Sequence, residues 1–123
     1  MNWDNHIPLH VQIAELVQKQ ILQQKYKQGE RIPSVREMAM SVEVNPNTVA
    51  KSYEILADKG VIQIQRGQGY FVHSNAIILL KEELKKQFLT QQLEEFFKTI
   101  RLLDISFVEI NTLYQSYLQK HTL

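Results

Sequence analysis

Leu9, Ile13, Leu16, Val17 and Ile21 recur at intervals of three and four, which puts apolar side chains on one face of a helix. Pro8 suits the opening turn of that helix, because it lacks the N–H that would be unpaired there. The stretch Tyr26-Lys27-Gln28-Gly29-Glu30 ends it. A shorter stripe follows through Val35, Met38, Ala39 and Val42. Ser34 precedes it and Glu37 lies three residues on, the pairing of a capping box: the Ser34 hydroxyl accepts from the N–H of residue 37, and Glu37 reaches back to the N–H of residue 34. A third stripe, Val49, Tyr53, Leu56 and Ala57, lies between Asn45 as N-cap, with Pro46 at the first helical position, and Gly60 as a left-handed stop. Only Val42-Glu43-Val44 joins the second helix to the third, the connection length of a helix-turn-helix. Such turns often carry glycine where this one has Glu43.

Past Gly60 the period changes from helical to two. Val61-Ile62-Gln63-Ile64-Gln65 alternates as a half-buried strand does, Arg66-Gly67-Gln68-Gly69 reads as a turn, and Tyr70-Phe71-Val72 returns. Three helices and a hairpin in this order predict a winged helix-turn-helix. The remaining residues contain neither Gly nor Pro, which permits long helices. Ile77, Leu80, Leu84 and Phe88 mark one stripe; Leu89, Leu93, Phe96, Ile100 and Leu103 mark another. Asp104-Ile105 interrupts, Ser106-Phe107-Val108-Glu109 repeats the capping-box pattern, and Phe107, Ile110, Tyr114 and Tyr117 continue in helical steps. Two stripes on one helix exceed what a single short partner helix covers, so either the helix also packs on the first domain or it meets another chain, and a second chain is expected. The expected fold class is α+β, mainly helical: a winged helix-turn-helix over residues 1–75 and a two-helix dimerisation segment over 76–123. The expected pairing residues are Leu80, Leu84, Phe88, Leu93, Phe96, Ile100, Phe107, Ile110 and Tyr114.

Composition removes several classes of function. The 123 residues are 44% hydrophobic, enough for a core, and no apolar run reaches the roughly 18 residues that cross a bilayer. The N-terminus has no basic stretch leading into an apolar one, so a cytoplasmic protein without membrane association is expected. Zero cysteines exclude disulfides, thiolate metal sites and cysteine nucleophiles. His6, His10, His73 and His121 form no ligand cluster, and no nucleophile–base set or carboxylate pair stands out. No enzyme, metal or cofactor is therefore expected. Gly67-Gln68-Gly69 is too short for a phosphate-binding loop and no helix follows it. Residues 1–75 hold 8 Lys and Arg against 7 Asp and Glu, and residues 76–123 hold 6 of each, so bulk charge indicates no affinity for nucleic acid.

Charge placement points elsewhere. The N-terminal residues of the second helix of a helix-turn-helix usually meet base edges. Here these are Asn45, Asn47, Thr48 and, one turn on, Lys51. The Asn47 amide matches adenine N6/N7, the Thr48 methyl matches thymine, and Lys51 reaches a phosphate as a point charge. Asn45 and Asn47 can equally serve as caps. Arg36 can donate to guanine or phosphate, or pair with Glu37 or Glu43. Ser34 can cap and offer its helix N-terminus to a phosphate. Glycines at the hairpin tip let Arg66-Gly67-Gln68-Gly69 enter a minor groove.

These segments, taken in order, resemble the GntR family of bacterial transcription regulators. The resemblance runs through Pro8-Leu9-His10-Val11-Gln12-Ile13, then Gly29-Glu30-Arg31-Ile32-Pro33-Ser34-Val35-Arg36-Glu37-Met38-Ala39. It continues in Asn45-Pro46-Asn47-Thr48-Val49-Ala50-Lys51-Ser52-Tyr53, Leu56, Gly60 and Gly67-Gln68-Gly69-Tyr70-Phe71-Val72. The short two-helix tail resembles the YtrA-like branch, which implies a small dimeric repressor, often of a transporter operon. The resemblance marks Arg36, the polar residues Asn45, Asn47 and Thr48, and the wing glycines Gly67 and Gly69 as DNA contacts. Pro46 and Ala50 stand where many members carry arginine, so the family's usual operator bases do not transfer. The expectation is a homodimer on double-stranded DNA with an inverted-repeat operator. The alternative is a winged-helix module whose tail docks on another protein. The tail leaves little room for the effector-sensing domain of larger members, and no residue in it nominates an effector.

Overall fold

Proline at position 8 is followed at once by the first helix. In a computed structural model that describes residues 2–122, the elements are α1 (Leu9–Leu22), α2 (Val35–Val42), α3 (Pro46–Asp58), β1 (Ile62–Gln65), β2 (Gly69–Val72), α4 (Ala76–Gln87), α5 (Leu93–Leu102) and α6 (Phe107–Lys120), with a π turn over Phe88–Gln92. The architecture is α+β and mainly helical. The chain divides into two units, the first through Glu83 and the second from Leu84.

Four helix C-termini in this chain share one device. After α1, Lys25 N–H donates to Gln20 O and Gln24, at φ 62°, takes the left-handed conformation. After α2, Val44 N–H donates to Ala39 O with Glu43 left-handed at φ 57°. After α3, Val61 N–H donates to Leu56 O over Gly60, and after α5, Ile105 N–H donates to Ile100 O over Asp104. Each is a Schellman closure. The first comes earlier than expected: α1 stops at Leu22, and Tyr26 folds back half-buried against the core.

The first unit packs α1 and α2 on α3, with Ile13, Val17, Ile21, Tyr53, Leu56 and Val72 fully buried. Burial of each such side chain is worth about 1.5–3 kcal/mol. Two buried polar groups fix the arrangement. Ser52 Oγ donates to His10 O at 2.6 Å, joining α3 to α1. Tyr53 Oη donates to Pro33 O at 2.6 Å, while its ring meets Tyr70 edge-on at 5.0 Å. β1 and β2 pair antiparallel, Ile62 with Val72 through Gln65 with Gly69. A third strand-like segment joins them, with Ile32 N–H donating to Tyr70 O and Val72 N–H to Glu30 O.

The expected boundary at residue 75 falls too early. Ala76 and Leu80 of α4 lie fully buried in the first unit's core, and Lys59 Nζ bonds Glu83 Oε1 at 2.8 Å. Leu80 therefore cannot serve as a pairing residue. Its stripe position suited either burial site, and the core of the first unit took it.

In the second unit the two expected stripes become one. Leu93 N–H donates to Phe88 O, an i→i+5 bond that absorbs one extra residue. That register shift brings the Leu84/Phe88 stripe into line with Leu93, Phe96 and Ile100. Thr90 Oγ1 donates to Lys86 O at 2.7 Å within the same turn. At α6, Ser106 Oγ accepts from Glu109 N–H, so the cap forms, but the return bond of the expected second capping box does not. No described residue from Leu84 to Thr122 is buried.

Candidate nucleic-acid interface

The start of α2 is fixed by the expected capping box. Glu37 N–H donates to Ser34 Oγ at 3.1 Å and Ser34 N–H donates to Glu37 Oε1 at 2.9 Å. The Ser34 backbone N–H, then its side chain, hold the Glu37 carboxyl below its usual range, with Arg31 adding a smaller push. Ser34 is thus a cap first. Arg36, in the same first turn, is exposed and forms no ion pair among the described residues. Of the two carboxylates that could have neutralised it, Glu37 is held by Ser34 and lies 4.0 Å from Arg31, and Glu43 forms no ion pair among the described residues.

Asn45 Oδ1 accepts from Asn47 N–H at 2.8 Å, so Asn45 takes the capping role and Asn47 is left exposed. Thr48 is half-buried, and Lys51, one turn on, is exposed and likewise without an ion pair among the described residues. Tyr53 sets the position of this helix: it ties α3 to the Pro33 carbonyl before α2 and to Tyr70 on β2. Burial pushes its phenol well above the ordinary range, so it stays a donor. Arg36 and Pro46, from α2 and α3, share a shallow hollow with Ala39, Met40 and Val44.

The hairpin turn closes with Gln68 N–H donating to Gln65 O at 2.9 Å, with Gly67 at φ 78° in its third position, as a type II turn requires. Arg66, Gly67 and Gln68 are exposed at this tip. Gly69 sits apart from them, half-buried beneath Arg31: a Cβ there would lie 2.9 Å from Arg31 Nε. Arg31 is a basic group beside the wing that the hydropathy pattern did not single out, since Gly29-Glu30-Arg31 reads as loop. The buried Ile32 next to it was the available signal for a strand. Met40 is an exposed apolar residue off the core stripe of its helix.

Among the described residues no three His, Asp or Glu side chains gather as metal ligands, and no helix is long and apolar enough to cross a membrane. Among the exposed groups of α2, α3 and the wing, Arg36, Lys51 and Arg66 are cations without an ion pair among the described residues, and Asn47 adds an exposed amide. They are suited to holding an anionic, edge-reading ligand.

The chain resembles known proteins in sequence and in fold. The sequence model for bacterial regulatory proteins of the gntR family matches residues 9–72. The chain is 34% identical over 99 residues to the HTH-type transcriptional regulator YhcF of Bacillus subtilis, covering 80% of each chain. It is 36% identical over 87 residues to the HTH-type transcriptional repressor YtrA of the same organism, covering 64% of this chain and 67% of that one. A crystal structure of a GntR-family transcriptional regulator from Bacteroides thetaiotaomicron superposes with a TM-score of 0.70 at 39% identity, covering 93% of this chain and 99% of that one.

Proposed function

This chain belongs to the gntR family of bacterial regulatory proteins, in its YtrA-like branch, and we propose that it acts as a homodimeric repressor on an inverted-repeat operator. Its members are DNA-binding transcriptional regulators, not enzymes. The observation that carries the proposal is an uncommitted cation on every reading element: Arg36 on α2, Lys51 on α3 and Arg66 in the wing, all exposed and unpaired among the described residues. On this reading, α3 enters the major groove with Asn47 and Thr48 at base edges. Arg36 reads a guanine or grips a phosphate, Lys51 positions the helix, and the tip at Arg66, Gly67 and Gln68 meets the minor groove. Ser34, Asn45 and Gly69 support this surface as caps and as the seat of Arg31. The resemblance to YtrA-like proteins suggests a transporter operon as the target.

The tail supports the homodimer. Leu84, Phe88, Phe96, Phe107 and Tyr114 are exposed, Leu93, Ile100 and Ile110 are half-buried, and the unit they form has no buried core. Short helices without cover are marginal in water, so a second copy laid along this stripe supplies what they lack. Two experiments test the proposal together. The purified protein should run at twice the 14.5 kDa of one chain, and duplexes selected from a random pool should converge on an inverted repeat bound with steep salt dependence. A monomer without salt-sensitive DNA binding would overturn it and favour a module that docks on another protein.

A further inference from the structure

Met40 does not belong to the core. Its helix turns Met38, Ala39 and Val42 inward, whereas Met40 is 79% exposed, the highest value for a large apolar side chain among the described residues of the first unit. It follows Arg36 by four residues and so shares its face of α2. Together with Ala39, Val44 and Pro46 these two line the hollow between α2 and the start of α3. Its floor and walls are apolar, and its one charged member is a guanidinium with no ion pair among the described residues.

The position of the hollow limits what fills it. It lies at the N-terminal end of α3, the part of a helix-turn-helix that faces base edges. The apolar feature of the major groove is the C5 methyl of thymine, and the groups beside it are the acceptors of a neighbouring guanine and the backbone phosphates. An apolar hollow rimmed by one unpaired arginine is complementary to that combination. A free apolar ligand would match the walls and leave Arg36 without an acceptor.

We propose that this hollow reads the methyl group of one thymine in each operator half-site, with Met40 and Pro46 closing on it while Arg36 bonds the adjacent acceptor. Met40 and Pro46 are then specificity determinants, although neither side chain has a hydrogen-bond donor and the only acceptor between them is the weak thioether of Met40. The proposal rests on the DNA-binding reading above and adds to it a defined contact.

The test uses the duplex recovered by selection from a random pool, with each thymine replaced in turn by deoxyuridine, which deletes the methyl alone. Burying one methyl is worth about 4-fold in affinity. One thymine position per half-site should therefore show a loss of roughly 4-fold with the unsubstituted chain. In Met40→Ala, which removes an exposed side chain and leaves the core intact, the same replacement should cost less than about 2-fold. Pro46→Ala, checked for unchanged helicity, should also reduce the penalty. Three results would overturn the inference while leaving DNA binding in place: a selected consensus without thymine in the half-site, a flat uracil profile, or a uracil penalty unchanged in Met40→Ala. A pool that yields no bound duplex would instead remove the DNA-binding reading, and this inference with it.

Discussion

Arg36 and Lys51 are both exposed cations, yet their loss should be felt differently. A guanidinium can bond two acceptors of a guanine at once, whereas an ammonium grips a phosphate without regard to sequence. Arg36→Ala and Asn47→Ala are expected to weaken binding to the selected duplex by about 1–3 kcal/mol while changing affinity for a scrambled duplex much less. Lys51→Ala should weaken both duplexes alike and lower the salt slope by about one. Fluorescence anisotropy on both duplexes at several salt concentrations separates these patterns. Equal loss on the scrambled duplex would reduce Arg36 to a phosphate contact. Glu37 makes a different prediction, because its carboxyl is held below the usual range by Ser34. A depressed folded-state value stabilises the native chain fully above the unfolded-state value, and that stabilisation fades as pH falls through the folded one. Between about pH 6 and about pH 3, Glu37→Gln should therefore lose less urea stability than the parent chain, since the amide accepts from Ser34 N–H without titrating. An identical decline in both would show that the capping box contributes nothing to acid sensitivity.

At the scale of elements, the turn between α2 and α3 carries an avoidable strain. Glu43 is left-handed at φ 57° and ψ 51°, a conformation that costs an L-residue about 1–2 kcal/mol. Glu43→Gly should stabilise the first unit by up to about 1 kcal/mol in urea unfolding, after the extra entropy of glycine in the unfolded chain is offset. A destabilised variant would mean that the Glu43 side chain holds the turn in some other way. In the wing the opposite holds. Gly69→Ala, at φ 118° and 2.9 Å from Arg31 Nε, should destabilise by about 1–3 kcal/mol. Gly67→Ala has open space, pays only for its left-handed backbone, and should cost less. These turns also explain what sequence reasoning could reach. Capping at Ser34, Asn45 and Gly60 was legible because those residue types have few other reasons to stand where they do. Gln24, Glu43 and Asp104 perform the same left-handed closure as Gly60, yet nothing in their chemistry announces it. The signal lay one residue later in two of those three, where apolar Val44 and Ile105 follow the turn as Val61 follows Gly60. The π turn escaped for a related reason: its five-residue step makes one stripe look like two. Among site residues, those on regular helical positions were readable, whereas Arg31 depends on a strand pairing that only the folded wing creates.

Near-neutrality is a property of the whole molecule, and it shapes how the protein must bind. With a formal charge of +1, one reading head gains little from diffuse attraction to phosphate, and a few placed cations supply most of its grip. Joining two heads makes the second binding event intramolecular, which multiplies affinity for a two-part site by about 100-fold or more without any new contact. The tail must then be worth its apolar exposure, and substitutions there should separate pairing from folding. Phe96→Asp and Tyr114→Asp introduce charges on the exposed stripe, outside the first unit's core. Each should yield a monomer by sizing, lower tail helicity as the helices lose their cover, and reduce affinity for the inverted repeat by about 100-fold while leaving half-site affinity unchanged. Leu80→Ala should do the reverse. Its side chain is fully buried with the first unit, so it should cost about 2–5 kcal/mol of stability without altering the dimerisation constant of the folded fraction. If the aspartate variants remain dimeric, the stripe is not the pairing surface. If they become monomers that bind the inverted repeat as tightly as before, pairing is not what compensates for the weak charge.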